Sequence, residues 1–231
     1  WSFSGMGLVE SDLLRRGKGE CDLSEMWIVR HAYAEKVAKY IRMHGNANLG
    51  GGGTLNDVTY IIDRYGIVPE EVYPGLGYGT DRHVHGELDA AVKAYAEAIV
   101  KNPNKTLTPS WKKGLDGILD AYLGVCPEKF TYKGKEYTPK SFAGELGIRH
   151  DDYVMITSFT HHPFYAPFAL EIPDNWNWAL SYNVPMEDMA RIVDAALEAG
   201  YAVNWASDVS EKGFAYNKGF VVVPVTKVEE M

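Results

Sequence analysis

The spacing of the apolar residues constrains this chain more than any other feature. From the first residues, apolar side chains recur every three or four positions in a stripe formed by Phe3, Met6, Val9 and Leu13. This spacing predicts an amphipathic helix that begins at or before Trp1 and stops at Gly17. Similar stripes over residues 25–45, 58–65, 88–99 and 111–122 predict four more helices.

The pattern changes in the last part of the chain. Residues 153–159, 201–205 and 220–225 favour strands, and Pro185 opens a helical stripe that ends at Gly200. Helices come mostly first and strands mostly last, an order typical of an α+β architecture. We therefore expect a helical half followed by a β half.

Composition and charge exclude several classes of protein. Of 231 residues, 46% are hydrophobic and 23% are charged, which argues against a disordered, collagen-like or coiled-coil chain. No apolar run approaches the roughly 20 residues that span a bilayer, so we expect no membrane segment. Residues 1–10 lack the basic and apolar regions of an export leader. The sequence leaves open whether a leader precedes Trp1.

The charge distribution disfavours a nucleic-acid partner. The net charge is −8, and the most basic stretch, residues 81–150, has 11 Lys and Arg against 9 Asp and Glu. A surface that binds phosphates usually concentrates far more positive charge than this. We therefore interpret the lysines of this stretch as a solvated face.

Four consecutive glycines, residues 50–53, lie between the second and third predicted helices. Such a run breaks a helix and lets another backbone approach closely, because no side chain projects from it. By itself the run indicates only a flexible loop or a binding surface for an extended chain.

Short motifs around these glycines resemble those of papain-like cysteine peptidases. The chain opens with Trp1-Ser2-Phe3-Ser4, continues with Leu23-Ser24-Glu25, and then reaches the pair Gly52-Gly53. In that family, Cys-Trp-x-Phe-Ser precedes Leu-Ser-Glu and a Gly-Gly pair. The resemblance places the nucleophilic cysteine immediately before Trp1, so the sequence would be an interior portion of a longer protein.

Further segments resemble the bleomycin hydrolase and aminopeptidase C branch. They cover residues 52–57, 64–69, 119–124, 127–131 and 137–142, and residues 202–208 match a strand of the β half. The implied fold is α+β and papain-like, with a helical insertion. The implied domains are residues 1–80 for the helical half with the glycine loop, 81–150 for the insertion and 151–231 for the start of the β half.

The resemblance implies which residues border the substrate cleft. In papain-like enzymes the Gly-Gly pair binds an extended peptide as an added strand. Gly52 and Gly53 match this pair, Thr54 and Leu55 should border the same subsite, and Ala206 should line it from the β half. The catalytic glutamine, histidine and asparagine of the family lie outside this chain, so no catalytic residue is assigned in it.

The cysteines and histidines present do not replace the missing catalytic groups. We interpret Cys21 and Cys126 as structural thiols, and His31 and His44 as surface or capping residues. The pairs His83-Val84-His85 and His161-His162 lack acidic or cysteine partners at a recognisable spacing, so we expect no metal. No cofactor is expected either.

The resemblance implies a thiol-dependent aminopeptidase that removes amino-terminal residues from peptides. It also implies a cytoplasmic homo-oligomer, such as a hexamer. The alternative is a catalytically inactive, truncated or degenerate member of the family that acts by binding or assembly.

Overall fold

The structure is a computed structural model that describes residues 1–207, 209–210 and 213–222. Its α-helices are α1 (Ser2–Arg15), α2 (Glu25–Arg42), α3 (Leu55–Tyr65), α4 (Gly86–Val100), α5 (Ser110–Leu123), α6 (Pro139–Leu146) and α7 (Met186–Glu198). Its strands are β1 (Phe130–Tyr132), β2 (Lys135–Tyr137), β3 (Ile156–Thr157), β4 (Ala166–Ala169), β5 (Leu180–Asn183), β6 (Phe214–Ala215) and β7 (Phe220–Val221). Single turns of 3₁₀ helix occur at Glu70–Val72, His150–Asp152 and Tyr216–Lys218.

The first three helices pack around a shared apolar centre, as the stripes predict. Of the α1 stripe, Met6, Val9 and Leu13 are fully buried, whereas Phe3 at the start of the helix is exposed. Gly5 lets α1 approach α3 closely, because a Cβ at this position would lie 2.7 Å from Cγ2 of Val58. The helical periodicity of the sequence therefore determines which face of each helix enters the core.

The ends of α2 and α3 follow ordinary capping chemistry. The Ser24 hydroxyl accepts a hydrogen bond from the Trp27 amide at 3.0 Å and donates one to the Tyr73 carbonyl at 2.5 Å. At the end of α3, Gly66 adopts a positive φ of 79°, and a Cβ there would collide with the backbone of Pro139. Only glycine satisfies both the turn and this close approach.

Helices α4 and α5 pack against each other and against α2. The buried guanidinium of Arg30 on α2 reaches Asp120 on α5 at 2.7 Å and Asp116 at 3.4 Å. One hydrophobic cluster runs from α1 through α5 to the segment after α6. The division at residues 80 and 150 stays a prediction.

The strands form three small sheets. A three-stranded sheet has the order β3-β5-β4, in which β5 pairs parallel with β3 and antiparallel with β4. The pairs β1–β2 and β6–β7 are antiparallel ribbons. Asn183 on β5 is buried and ties the 159–163 segment to the sheet through its side-chain amide.

Several predicted element boundaries were wrong. Trp1 is the N-cap of α1, which begins at Ser2. Residues 201–205 have no regular secondary structure, and only Ile156–Thr157 of the predicted 153–159 strand is paired. Both segments have apolar residues, but alternation alone does not supply the neighbouring strand that a ladder requires. Residues 223–225 of the last predicted strand lie outside the described residues.

Apolar side chains remain exposed on the last described part of the chain. Helix α7 buries none of its residues, and Ile192 and Leu197 are 43% and 56% exposed. Among the described residues, none of the helices is both long and apolar enough to cross a bilayer.

Candidate functional site

The glycine run between α2 and α3 is held to the protein by its carbonyl oxygens. Lys36 on α2 donates from its ammonium group to the carbonyls of Gly50, at 3.0 Å, and Gly52. The indole N–H of Trp1 donates to the Gly51 carbonyl at 2.9 Å. One side chain on α2 and one at the N-cap of α1 therefore fix the direction in which this backbone faces.

The amides of the same backbone are free. Within the described part of the chain, the N–H groups of Gly52 and Gly53 have no hydrogen-bond partner. Buried or half-buried amides without a partner are uncommon, because each one costs free energy until a partner or water satisfies it. These two N–H groups are therefore available to donate hydrogen bonds to the backbone of another extended chain.

Each glycine of this segment meets a different neighbour. A Cβ at Gly51 would lie 3.2 Å from a carboxylate oxygen of Asp89, and one at Gly52 would lie 2.3 Å from Asp174. At Gly53 the indole of Trp1 would be only 2.7 Å away. Packing inside the protein therefore already requires glycine at positions 52 and 53, and the binding of a peptide by this pair stays a prediction.

Thr54 and Leu55, the other predicted cleft residues of the helical half, form the start of α3. The Thr54 amide donates to the carboxylate of buried Asp57 at 2.9 Å, an arrangement typical of a helix N-terminus. Leu55 is half-buried, and its side chain faces Gly5 of α1. Thr54 therefore continues the glycine segment, whereas Leu55 contributes to the contact between α1 and α3.

One lysine and three aspartates lie close to the glycine segment. Lys36 is only 3% exposed, and burial lowers the pKa of its ammonium group, while Asp57, Asp174 and Asp89 oppose that shift. Burial raises the pKa of Asp57 to about 6, although its bond from Thr54 and the charge of Lys36 oppose the change. One buried cation thus faces several carboxylates, which leaves an excess of negative charge around the segment.

A cavity of about 310 Å³ opens beside the glycine segment. It lies between the first turn of α1, the middle of α2 and the start of α4. Its lining is formed by Trp1, Ser2, Phe3, Met26, Val29, Tyr33, Gly51, His85 and Asp89. Most of this surface is apolar, and Asp89 supplies its carboxylate.

The β half reaches α1 near this cavity. The side-chain amide of Asn204 donates to the Ser4 hydroxyl at 2.6 Å. Ala206, predicted to line the cleft, is exposed two residues further along the same irregular segment. Asp208, the last residue of the motif that begins at Ala202, lies outside the described residues.

The two cysteines lie away from the glycine segment. Burial raises the pKa of both thiols, which disfavours the reactive thiolate. The sulfur of Cys126 lies 4.0 Å from Nε2 of His31. Neither thiol adjoins Trp1, and their interpretation as structural residues stays a prediction.

The expectation that His31 lies on the surface was wrong. Its ring stacks on Tyr65 and packs against Trp27, and burial lowers the pKa of His31 to about 3. His83 and His85 stack in the segment before α4, with ring centroids 5.8 Å apart. Within the ranges that the structure describes, no group of three or more His, Cys, Asp or Glu side chains could hold a metal.

Sequence reasoning missed Lys36, the residue that anchors the glycine run. A signal was present: Lys36 follows Tyr33 by three positions and Val29 by seven, so it occupies the apolar stripe of α2. A charge on the buried face of a helix needs a partner in the interior. The carboxylates of Asp89 and Asp174 gave no comparable signal, because Asp89 lies off the apolar stripe of its predicted helix and Asp174 lies outside the periodic apolar segments.

Most of this chain matches a known protein family. A model of the Peptidase C1-like family matches residues 27–231. The chain belongs to this family. The resemblance to papain-like peptidases is thereby confirmed, and so is the α+β fold class.

Curated relatives of this Peptidase C1-like chain are distant and longer. Aminopeptidase C of Lactococcus lactis subsp. cremoris is 25% identical over 182 residues, which cover 70% of this chain and 42% of that protein. Aminopeptidase C of Streptococcus thermophilus is 24% identical, with coverages of 69% and 42%. Aminopeptidase E of Lactobacillus helveticus is 25% identical, with coverages of 68% and 41%. The chain spans less than half the length of these relatives.

A solved structure supports the fold. The crystal structure of PepW from Lactobacillus rhamnosis HN001 superposes with a TM-score of 0.58 at 19% identity. The match covers 78% of this chain and 49% of that one. At this identity the likeness concerns the fold alone.

Proposed function

We propose that this chain carries the substrate-binding part of a thiol-dependent aminopeptidase of the bleomycin hydrolase type. The observation that carries the proposal is the glycine segment, whose carbonyls are held by Lys36 and Trp1 while the amides of Gly52 and Gly53 stay free. Membership of the Peptidase C1-like family and likeness to two aminopeptidases C and one aminopeptidase E support the class of reaction.

The proposed nucleophile is a cysteine immediately before Trp1. Because Trp1 is the N-cap of α1, that thiol would lie at the positive end of a helix of 14 residues. The helix dipole favours the thiolate there, in contrast to the half-buried thiols of Cys21 and Cys126, whose pKa burial raises. Trp1 would then link the nucleophile to Gly51 through a single hydrogen bond.

In the proposed reaction, a peptide pairs with the glycine segment as an added strand. The thiolate attacks the first peptide carbonyl, a histidine protonates the departing amine, and water releases the acyl group from the sulfur. The histidine, its asparagine and the oxyanion glutamine are assigned to parts of the protein outside this chain. Thr54, Leu55 and Ala206 are proposed to border the bound peptide.

The wider biology is part of the same proposal. The substrate would be a peptide with a free amino terminus, and the enzyme would be a cytoplasmic homo-oligomer such as a hexamer. No metal or cofactor takes part in the proposed reaction.

The first test combines intact mass with alkylation. We expect the purified natural protein to be heavier than the 25.8 kDa of these residues. We also expect iodoacetamide to abolish its peptidase activity, with peptide mapping placing the modification on the residue before Trp1. A C21S/C126S variant is the control, and it should keep both the activity and the sensitivity to iodoacetamide.

Two results would contradict the proposal. Peptidase activity that persists after complete alkylation would exclude a thiol mechanism. A mass of 25.8 kDa together with no hydrolysis would favour the alternative, an inactive family member that acts by binding or assembly.

A further inference from the structure

A second cavity, of about 210 Å³, lies between α2, the end of α3 and the first turns of α5. It shares no lining residue with the cavity beside the glycine segment. Pockets that hold drug-sized molecules run from about 300 to 1,000 Å³, so this cavity suits a smaller ligand.

The charges of this second lining do not cancel. Three cationic side chains, Arg42, Arg64 and Lys112, line the cavity together with two carboxylates, Glu35 and Asp116. The chain as a whole has a net charge of −8, so this local excess of positive charge runs against the overall balance. An excess of one sign around a concave surface attracts a ligand of the opposite sign.

Both carboxylates of the lining already have partners. Oε1 of Glu35 lies 2.9 Å from Nε of Arg64 and also accepts from the Tyr65 hydroxyl. Oδ1 of Asp116 lies 3.4 Å from Nη2 of Arg30, a buried residue of α2 that does not line the cavity. These contacts leave Arg42 and Lys112 without a carboxylate of their own.

Arg42 and Lys112 are therefore the unpaired cations of this cavity. Within the residues that the structure describes, neither side chain joins an ion pair or donates a hydrogen bond. Arg42 lies in the last turn of α2 and Lys112 in the first turn of α5. Two unpaired positive charges match a phosphate monoester, which carries a charge of about −1.5 to −2 at pH 7.

The rest of the lining offers apolar surface for the body of a ligand. Ala34 and Ala38, one turn apart on α2, contribute only methyl groups and so leave room between the helices. Leu115 is only 2% exposed and adds apolar surface from α5. The indole of Trp111 lines the same cavity, with Nζ of Lys112 5.7 Å from its ring centroid. An aromatic ring packs well against a surface of this kind.

We propose that this cavity binds a small organic phosphate monoester, with the phosphate group between Arg42 and Lys112. The apolar body of the ligand would lie against Ala34, Ala38 and Trp111. A guanidinium group can bind two phosphate oxygens at once, and an ammonium group adds a compact charge. The inference goes beyond the proposed function and does not depend on it, because no residue of the glycine segment lines this cavity.

Calorimetry with phenyl phosphate tests the site, since this compound joins one phosphate monoester to one aromatic ring. It is titrated into the longest natural polypeptide that contains this chain and into its R42Q and K112Q variants. We expect each variant to bind at least about tenfold more weakly than the parent, because each loses a charge-assisted hydrogen bond. Both side chains are exposed and unpaired, so the variants should fold, which thermal denaturation would verify.

The matched control is K113Q. Lys113 follows Lys112 in the same turn of α5 and is exposed, but it does not line the cavity. At an ionic strength of about 0.1 M, charges more than about 10 Å apart are largely screened. This variant should therefore bind phenyl phosphate as the parent does.

A38M tests the apolar part of the site without changing any charge. The longer side chain would fill the space between α2 and α5, so phenyl phosphate should bind more weakly. Inorganic phosphate, which has no apolar body, should bind the parent more weakly than phenyl phosphate does and should not distinguish the parent from A38M.

Several results would overturn the inference. They are no binding of phenyl phosphate to the parent, equal binding to the parent, R42Q and K112Q, and binding of benzoate as tight as that of phenyl phosphate. Equal affinities of the parent for inorganic phosphate and phenyl phosphate, with A38M unaffected, would exclude the apolar part of the site. None of these measurements requires turnover, so a failure of the proposed peptidase function would leave their outcome unchanged.

Discussion

At the scale of single residues, Lys36 has the largest influence on the candidate site. A buried ammonium group is stable only where hydrogen bonds and opposite charges compensate for the lost water. Here the carbonyls of Gly50 and Gly52 provide the hydrogen bonds, and the surrounding carboxylates provide the opposite charges. Lys36 therefore contacts both the glycine carbonyls, which set the conformation of the segment, and the carboxylates that surround it.

We expect Lys36→Met to lower the free energy of unfolding by about 1–3 kcal/mol, because it leaves polar groups around the segment without a partner. Chemical denaturation measures the change. Lys101→Met is the control, since Lys101 pairs with Glu97 on the exposed face of α4 and should cost at most about 1 kcal/mol. Equal effects of the two substitutions would contradict the anchoring role of Lys36.

At the scale of elements, the start of α2 is the best-defined helix terminus in the core. Ser24 is completely buried, caps α2 through Trp27 and also binds the Tyr73 carbonyl of the following loop. A single hydroxyl thus provides a hydrogen-bond partner for one amide of the helix and one carbonyl of the loop. The orientation of α2 determines the positions of both Lys36 and Tyr33, so this cap also supports the candidate site.

Ser24→Ala should lower the free energy of unfolding by about 1–2 kcal/mol, because the Trp27 amide and the Tyr73 carbonyl lose their partner inside the core. The same substitution at Ser11 is the comparison, since its hydroxyl bonds to the Gly7 carbonyl on the exposed side of α1. The Ser11 substitution should change the free energy of unfolding by at most about 0.5 kcal/mol. Urea titrations of both variants would show whether the difference exists.

At the scale of the whole molecule, the two halves differ in how well they cover their apolar surface. The helical half encloses one continuous cluster. The later segments leave Ile192, Leu197 and Trp205 exposed, the last at 65%. Exposed apolar patches usually mark a contact with another part of a protein or with a partner.

We expect the 231-residue chain on its own to bind the dye 8-anilinonaphthalene sulfonate, and the double variant I192K/L197K to reduce the fluorescence. Asp194→Lys is matched in charge, since each change adds two positive charges while Asp194 contributes no apolar surface to the exposed face of α7. It should leave the fluorescence unchanged. Equal fluorescence from all three proteins would show that the dye binds elsewhere.

The sequence predicted most helices because a helix is a local structure whose apolar period is visible in the residues themselves. It did not predict β1, β2 or α6, and it misplaced the strand at residues 201–205. A strand needs a partner that lies elsewhere in the chain, and three or four apolar residues do not identify one. Helix α6 is short, with eight residues, and its pattern was too brief to recognise.

The candidate site divides in the same way. The sequence by itself determined the glycine run, the helix that follows it and the family motifs that drew attention to Gly52 and Gly53. Only the tertiary structure placed Trp1, Lys36, Asp89 and Asp174 around that run, because these residues are separated by up to 173 positions and meet through packing of the helical half with the segment before β5. Periodicity encodes which face of a helix is buried, whereas the identity of the group that meets it depends on how the elements pack.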